Sequence, residues 1–144
     1  MADVLDAYAL VALIVDEPAA PTVEEILRSG EAVITSINLA EAVDVACRVH
    51  KWDEHRVREV VEHLVVAGSP AVIAPGEGSG WRAAQLRCTY YDRRSSAVSI
   101  ADCFLLAAAG ANDRVATADP SIVEIARAEG IEVLPLPDSA GRLP

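Results

Sequence analysis

Lysine occurs once in the 144 residues, as Lys51, and aromatic side chains make up only 4% of the chain. The first shortage excludes a phosphoacceptor receiver domain, which gathers acids at a sheet edge but needs a lysine after a late strand; Lys51 sits beside a helix end. The second disfavours an aromatic-rich β-sandwich and suits close packing of small-residue helices on a Val/Ile-rich sheet. Cysteine is sparse as well. Cys47, Cys88 and Cys103 are odd in number, widely spaced and without a Cys-x-x-Cys pairing, which excludes a disulfide framework and predicts reduced thiols in a cytoplasmic protein. No apolar run approaches the ~20 residues of a membrane span. The opening Met1-Ala2-Asp3-Val4-Leu5-Asp6 carries acids where a secretory signal needs basic residues.

Positive charge is in short supply too: 12 basic against 22 acidic residues leave a net charge of −10. A uniform distribution would argue against nucleic acid, because phosphate binding needs a basic face. The distribution is uneven. Residues 82–94 hold Arg82, Arg87, Arg93 and Arg94 against Asp92 alone, a net +3 set against −13 for the rest. This strip is the candidate RNA-binding element.

What is abundant is aliphatic: 52% of residues are hydrophobic, ample for one buried core, and the length predicts one domain over residues 1–144. Its expected core covers about residues 3–136, followed by a loose tail over 137–144. Hydrophobic periodicity places a short strand at Val4-Leu5 and then a helix through Ala7, Leu10, Val11 and Ile14. A second helix covers Pro21 to Arg28, and the strand Ala32–Thr35 feeds a helix from about Ile37 to His50. A helix over Asp53–Ala67, a strand at Ala71–Ile73 and helices over Ser79–Tyr91 and Ser99–Ala109 follow. The order closes with a strand at Arg114–Thr117, a helix opened by Asp119-Pro120, and a final strand at Glu132–Leu134. Short strands alternating with helices predict right-handed crossovers and an α/β fold: a mostly parallel sheet in a three-layer α/β/α arrangement.

In open parallel sheets the chemistry lies beyond the carboxyl ends of the strands. Asp6 closes the first strand, Glu41 lies early in the helix after the second, and Asp119 lies just beyond Thr117. Asp102 joins them if the Ser99 helix starts at the same edge. Helix capping accounts for each acid taken singly: Asp6 and Asp119 are good N-caps, and Asn38-Leu39-Ala40-Glu41 and Ser99-Ile100-Ala101-Asp102 have capping-box spacing. Taken together they crowd one edge, because neighbouring strands are only about 4.8 Å apart. Such carboxylates must be partly protonated or neutralised by a cation, and an all-oxygen set favours Mg²⁺ or Mn²⁺ over zinc. That chemistry serves phosphodiester hydrolysis, with Thr117 placed to position a water or a carboxylate.

The segments Val4-Leu5-Asp6-Ala7-Tyr8-Ala9-Leu10, Asn38-Leu39-Ala40-Glu41, Ser99-Ile100-Ala101-Asp102 and Thr117-Ala118-Asp119, in this order, resemble the PIN-domain family. In length and layout the chain is similar to the VapC ribonuclease toxins of type II toxin–antitoxin pairs. The resemblance covers roughly residues 3–136. It implies a five-stranded sheet of order 3-2-1-4-5, a homodimer, Mg²⁺ or Mn²⁺ bound by Asp6, Glu41, Asp102 and Asp119, and endonucleolytic RNA cleavage that inhibits translation. It also implies a VapB-like antitoxin laid over the active-site groove. Two features depart from the family pattern. Tyr8 stands where a serine or threonine is common, and Ala74-Pro75-Gly76-Glu77 lacks a Pro-Phe-Asp-like stretch. The rival reading is a catalytically silent binding module of the same fold.

The histidines, His50, His55 and His63, form a poor metal set and are expected on the solvated surface. Trp52 and Trp81 are expected to be packing anchors. Tyr90-Tyr91 with Arg93-Arg94 is the better candidate for an RNA-facing or dimer surface.

Overall fold

A computed structural model describes residues 1–144. Five short strands form one parallel sheet: β1 (Asp3–Leu5), β2 (Ala32–Thr35), β3 (Ala71–Ile73), β4 (Arg114–Thr117) and β5 (Glu132–Pro135), in the order β3-β2-β1-β4-β5. Eight helical segments connect them: α1 (Ala7–Val15), α2 (Ala20–Ser29), α3 (Ser36–Asp44) continued by a π turn (Val45–Val49), α4 (Glu54–Val66), α5 (Glu77–Tyr90), α6 (Ile100–Ala108) and α7 (Pro120–Ala128). The fold class is the expected α/β one, with helices on both faces of the sheet.

Strand periodicity of two sorts side chains between the faces. Leu5, Ile34 and Ala116 point into a core closed by α1, α2, α3 and α4, while Val4 and Val115 point into a second core closed by α5, α6 and α7. The central strands β1 and β4 are buried, whereas all three residues of the edge strand β3 are exposed. At the amino end of the sheet the Arg114 guanidinium grips Asp3 with bonds of 2.7 and 2.9 Å, neutralising an aspartate that is only 5% exposed.

Register decides what meets at the other end. Leu5 pairs with Ala116, so Asp6 comes level with Thr117 on the neighbouring strand, and the Asp6 amide donates to the Ala116 carbonyl at 3.1 Å. Three local details differ from the sequence reading. Thr35, not Asn38, caps the helix after β2, so that helix starts earlier; its Oγ1 accepts from the Asn38 amide at 3.0 Å. The helix also changes to π geometry at Val45 instead of running on as α to His50. The segment after β5, expected to be loose, is tied down. Leu136 is fully buried and its amide donates to Thr117, Tyr8 donates to the Pro137 carbonyl at 3.0 Å, and Asp138 closes a turn with Arg142.

Candidate active site

Asp6 sits at the N-cap position of α1, yet its carboxylate makes no cap hydrogen bond to that helix. Instead the Thr117 hydroxyl donates to Asp6 Oδ2 at 2.6 Å across the β1–β4 register. Both residues are buried, at 6% and 0% exposure. Burial, reinforced by the nearby Asp102 and Glu41 charges, pushes the Asp6 carboxyl up from 3.8 to about 7, against the opposing pull of the Thr117 hydrogen bond. Capping therefore does not explain Asp6.

Nor does it explain Glu41. With the cap moved to Thr35, Glu41 lies in the second turn of α3, beyond reach of a capping box. Its Oε2 is buried with no hydrogen-bond partner. Burial first, then the charges of Asp102 and Asp44, raise its pKa. Asn38, wholly buried, holds this helix to its neighbour: its amide accepts the Thr35 hydroxyl proton at 2.6 Å and donates to the Ala101 carbonyl of α6 at 3.3 Å. That bond brings the amino end of α6 to the same edge of the sheet.

Asp102 and Asp119 do cap their helices. Ser99 and Asp102 form a reciprocal capping box, with Asp102 Oδ2 accepting from the Ser99 amide at 2.7 Å and Ser99 Oγ accepting from the Asp102 amide at 3.0 Å. Asp119 Oδ1 accepts from the Ser121 amide at 2.7 Å. Each cap occupies one carboxylate oxygen and leaves the other without a protein partner. Thr117 Oγ1 serves twice, donating to Asp6 and accepting from the Asp119 amide at 3.1 Å.

Asp6, Glu41, Asp102 and Asp119 line one cavity of about 560 Å³. They are gathered around that space and not onto a point, for no three of them form a ready-made metal-ligand set. The donor chemistry nevertheless fits a hard divalent cation. All donors are oxygen, Glu41 presents an orphaned buried acceptor, and Asp6 bears a charge that burial and two neighbouring carboxylates oppose. Removing that conflict requires either a proton or a cation.

The cavity wall also contains residues that sequence reasoning missed. His50, expected on the open surface, reaches its rim because the π turn ends there, although it remains exposed. Glu17, Asp138 and Ser139 form the far wall, where Ser139 donates to Glu17 at 2.8 Å. No local pattern marks these residues; only the folded-back tail brings them in. Tyr8 lines the cavity but points its hydroxyl at the tail and not at Asp6, so Thr117 is what supports that aspartate.

None of the four arginines lines the cavity. Arg82 is bound to Glu129, which also accepts from Tyr90 at 2.6 Å. Arg87 stacks over the Tyr91 ring at 4.6 Å, while Arg93 and Arg94 are exposed. Trp52 packs against the core as expected, but Trp81 is 68% exposed and anchors nothing. The cysteines are free, and burial pushes the Cys103 thiol up to about 11, so it is no nucleophile. No helix is long and apolar enough to cross a membrane.

The family model described as PIN domain matches residues 4–128, a span that contains all four acids and Thr117. No curated protein matches the chain.

Proposed function

The chain belongs to the PIN domain family, a family of nuclease-type fold, and on that premise we propose that it is a metal-dependent endoribonuclease that hydrolyses RNA phosphodiester bonds. The observation that carries this reading is the gathering of Asp6, Glu41, Asp102 and Asp119 around one cavity, with two of the four free of any capping duty. These four are the proposed ligands of Mg²⁺ or Mn²⁺. The chemistry such a cation supplies when bound is Lewis acidity towards a phosphoryl oxygen and a water.

The chain's own residues do the rest. Thr117 fixes the Asp6 carboxylate directly and, by accepting from the Asp119 amide, anchors the backbone at the entry to α7. Asn38 holds the Glu41 helix against the Asp102 helix and keeps the two acids on one wall. Asp6, buried and fixed by the Thr117 hydroxyl, would serve as a ligand whose otherwise opposed charge the cation offsets.

Within the family the proposed place of this chain is among the VapC-like toxins, acting on RNA to inhibit translation as a homodimer. A VapB-like antitoxin is its proposed partner. The cavity favours such a partner, because Glu17 and Asp138 add to the four central acids and make its lining strongly anionic, a surface suited to a cationic inhibitory segment.

The test is cleavage of total cellular RNA by the purified protein with Mn²⁺ or Mg²⁺, with EDTA, and with Asp6→Asn. Discrete metal-dependent fragments that the variant fails to make are the expected result. Intact RNA under every condition, from protein shown to be folded and free of antitoxin, would replace this reading with that of a silent binding module.

A further inference from the structure

Apart from His50, every titratable side chain lining the cavity is an acid or a tyrosine, so the cavity itself has no fixed cation to hold the RNA on either side of the bond being cut. We propose that the carboxyl end of α5 and the turn after it form a subsite for single-stranded RNA flanking the cavity. A base stacks there on the Tyr91–Arg87 pair, and phosphates pair with Arg93 and Arg94. The proposal rests on the ribonuclease reading above and names where that substrate is gripped.

The subsite adjoins the cavity through α6. A groove lined by Ala84, Arg87, Cys88, Tyr91 and Ile100 runs up to the first turn of that helix, and Asp102 lies in the same turn. Ile100 and Asp102 are about 3 Å apart along the helix axis, but two positions on a helix project to opposite sides, so the groove and the cavity lie on either side of the amino end of α6. A strand carried over the exposed Ile100 at the amino end of α6 leads from the acids to Tyr91.

Aromatic and cationic groups are arranged there as single-strand binding requires. Tyr90 and Tyr91 are adjacent but turned apart: Tyr90 is directed inward to Glu129, whereas Tyr91 stays 44% exposed with the Arg87 guanidinium over its ring. Unpaired bases stack on tyrosine rings and on guanidinium planes, and here the two are already assembled. Trp81, ten residues earlier on the same helix, presents a second exposed ring about 15 Å along the axis and about 80° around it. Exposed rings thus stand at both ends of α5.

The charge is free to act. Arg87, Arg93 and Arg94 take part in no ion pair, whereas Arg82 is neutralised by Glu129 and drops out of the site. Arg93 and Arg94 stand at the tip of a turn closed by two bonds between Asp92 and Ser96, of 2.9 and 3.0 Å. Asp92, the only acid within residues 82–94, is engaged inside that turn, accepting from the Arg94 and Ser95 amides. An anionic, base-bearing strand is the occupant that uses both the rings and the unpaired guanidinium groups.

The test is binding, not cleavage. Anisotropy of a fluorescein-labelled single-stranded 12-mer RNA is measured with Asp6→Asn protein in Mg²⁺, as a function of salt, alone and combined with Tyr91→Ala, Tyr91→Phe or Arg93→Gln/Arg94→Gln. Tyr91→Ala is expected to weaken binding by about 5- to 100-fold, the worth of one stacked base, while Tyr91→Phe stays within about twofold. The double arginine variant should lower the slope of log affinity against log salt by about 1.4, or 0.7 for each lost phosphate contact. Equal affinity in all variants, or no RNA binding by any of them, overturns the subsite, as does a change in sedimentation with RNA affinity unaltered, which would mark the face as a protein interface. Tight binding through Tyr91 by a wild-type protein that cuts no RNA would keep the subsite and refute the nuclease.

Discussion

Replacing Asp6 with asparagine should stabilise the metal-free protein, by an amount that depends on pH. Burial raises the folded-state pKa from 3.8 to about 7, so the folded protein holds this proton more tightly than the unfolded chain does. The contribution to stability is complete below about pH 3.8 and is lost as pH rises through about 7. At about 1.4 kcal/mol per pH unit, that interval of roughly three units makes ionised Asp6 cost about 4 kcal/mol at pH 8. Between about pH 5 and pH 8 the wild type should lose about 2.5 kcal/mol that the variant does not. The carboxamide would have the same shape as the carboxyl group and keep an acceptor for the Thr117 hydroxyl, so little else changes.

The assay is urea unfolding in EDTA at the two pH values. Glu41, also raised by burial, titrates in both proteins and largely cancels in the comparison. Asp44, Asp92, Asp113 and Asp138 are all held below the usual carboxylate range and have finished titrating by about pH 5. For a chain of this size the difference corresponds to a shift of about 5–10 °C in Tm, at about 2–4 °C per kcal/mol. Saturating Mg²⁺ should remove most of the wild-type pH slope by compensating the ionised carboxylate. If wild type and variant lose stability equally between the two pH values, Asp6 is not the strained group and the electrostatic argument fails.

Thr117→Val should cost about 1–3 kcal/mol by leaving Asp6 without its donor; it should also shift the wild-type stability slope to higher pH, since that bond lowers the Asp6 pKa. Mn²⁺ at about 100 times its Kd should add about 2.7 kcal/mol of stability to the wild type, a gain that Glu41→Gln should largely abolish in the same thermal melt. Ser99→Ala should cost about 1 kcal/mol through the broken capping box, and a metal titration should show weaker binding because Asp102 is no longer fixed. Arg114→Met, remote from the cavity, should cost about 3 kcal/mol by stranding Asp3 as a buried charge, while RNA cleavage per folded molecule stays unchanged.

The α/β class, the alternation of short strands with helices, and the placing of Asp6, Glu41, Thr117 and Asp119 at one sheet edge were legible in the order of residues, whereas Asp102 joined them only through the packing of α6. They are written in local signals: period-two and period-3.6 apolar spacing, Pro120 after Asp119, Gly30 and Gly130 after their helices. Each signal involves residues only a few positions apart, so the chain exposes it directly. Local spacing also misled. It offered Asn38 as a cap three residues before Glu41, whereas the backbone enters that helix earlier and is capped by Thr35, which frees Glu41 from helix-end chemistry.

Which acids are spent and which are strained emerges only on folding, because both depend on contacts between residues far apart in the chain. Thr117 reaches Asp6 across 111 residues, and Asn38 reaches Ala101 across 63. The tail returns to Tyr8 across 129, bringing Asp138 and Ser139 to a wall that no motif announced. Burial of Asp6 is likewise a property of the closed sheet edge, and burial is the largest cause of its raised pKa. A sequence names the ionisable groups; only their packing sets how costly their charges are and therefore what they can bind.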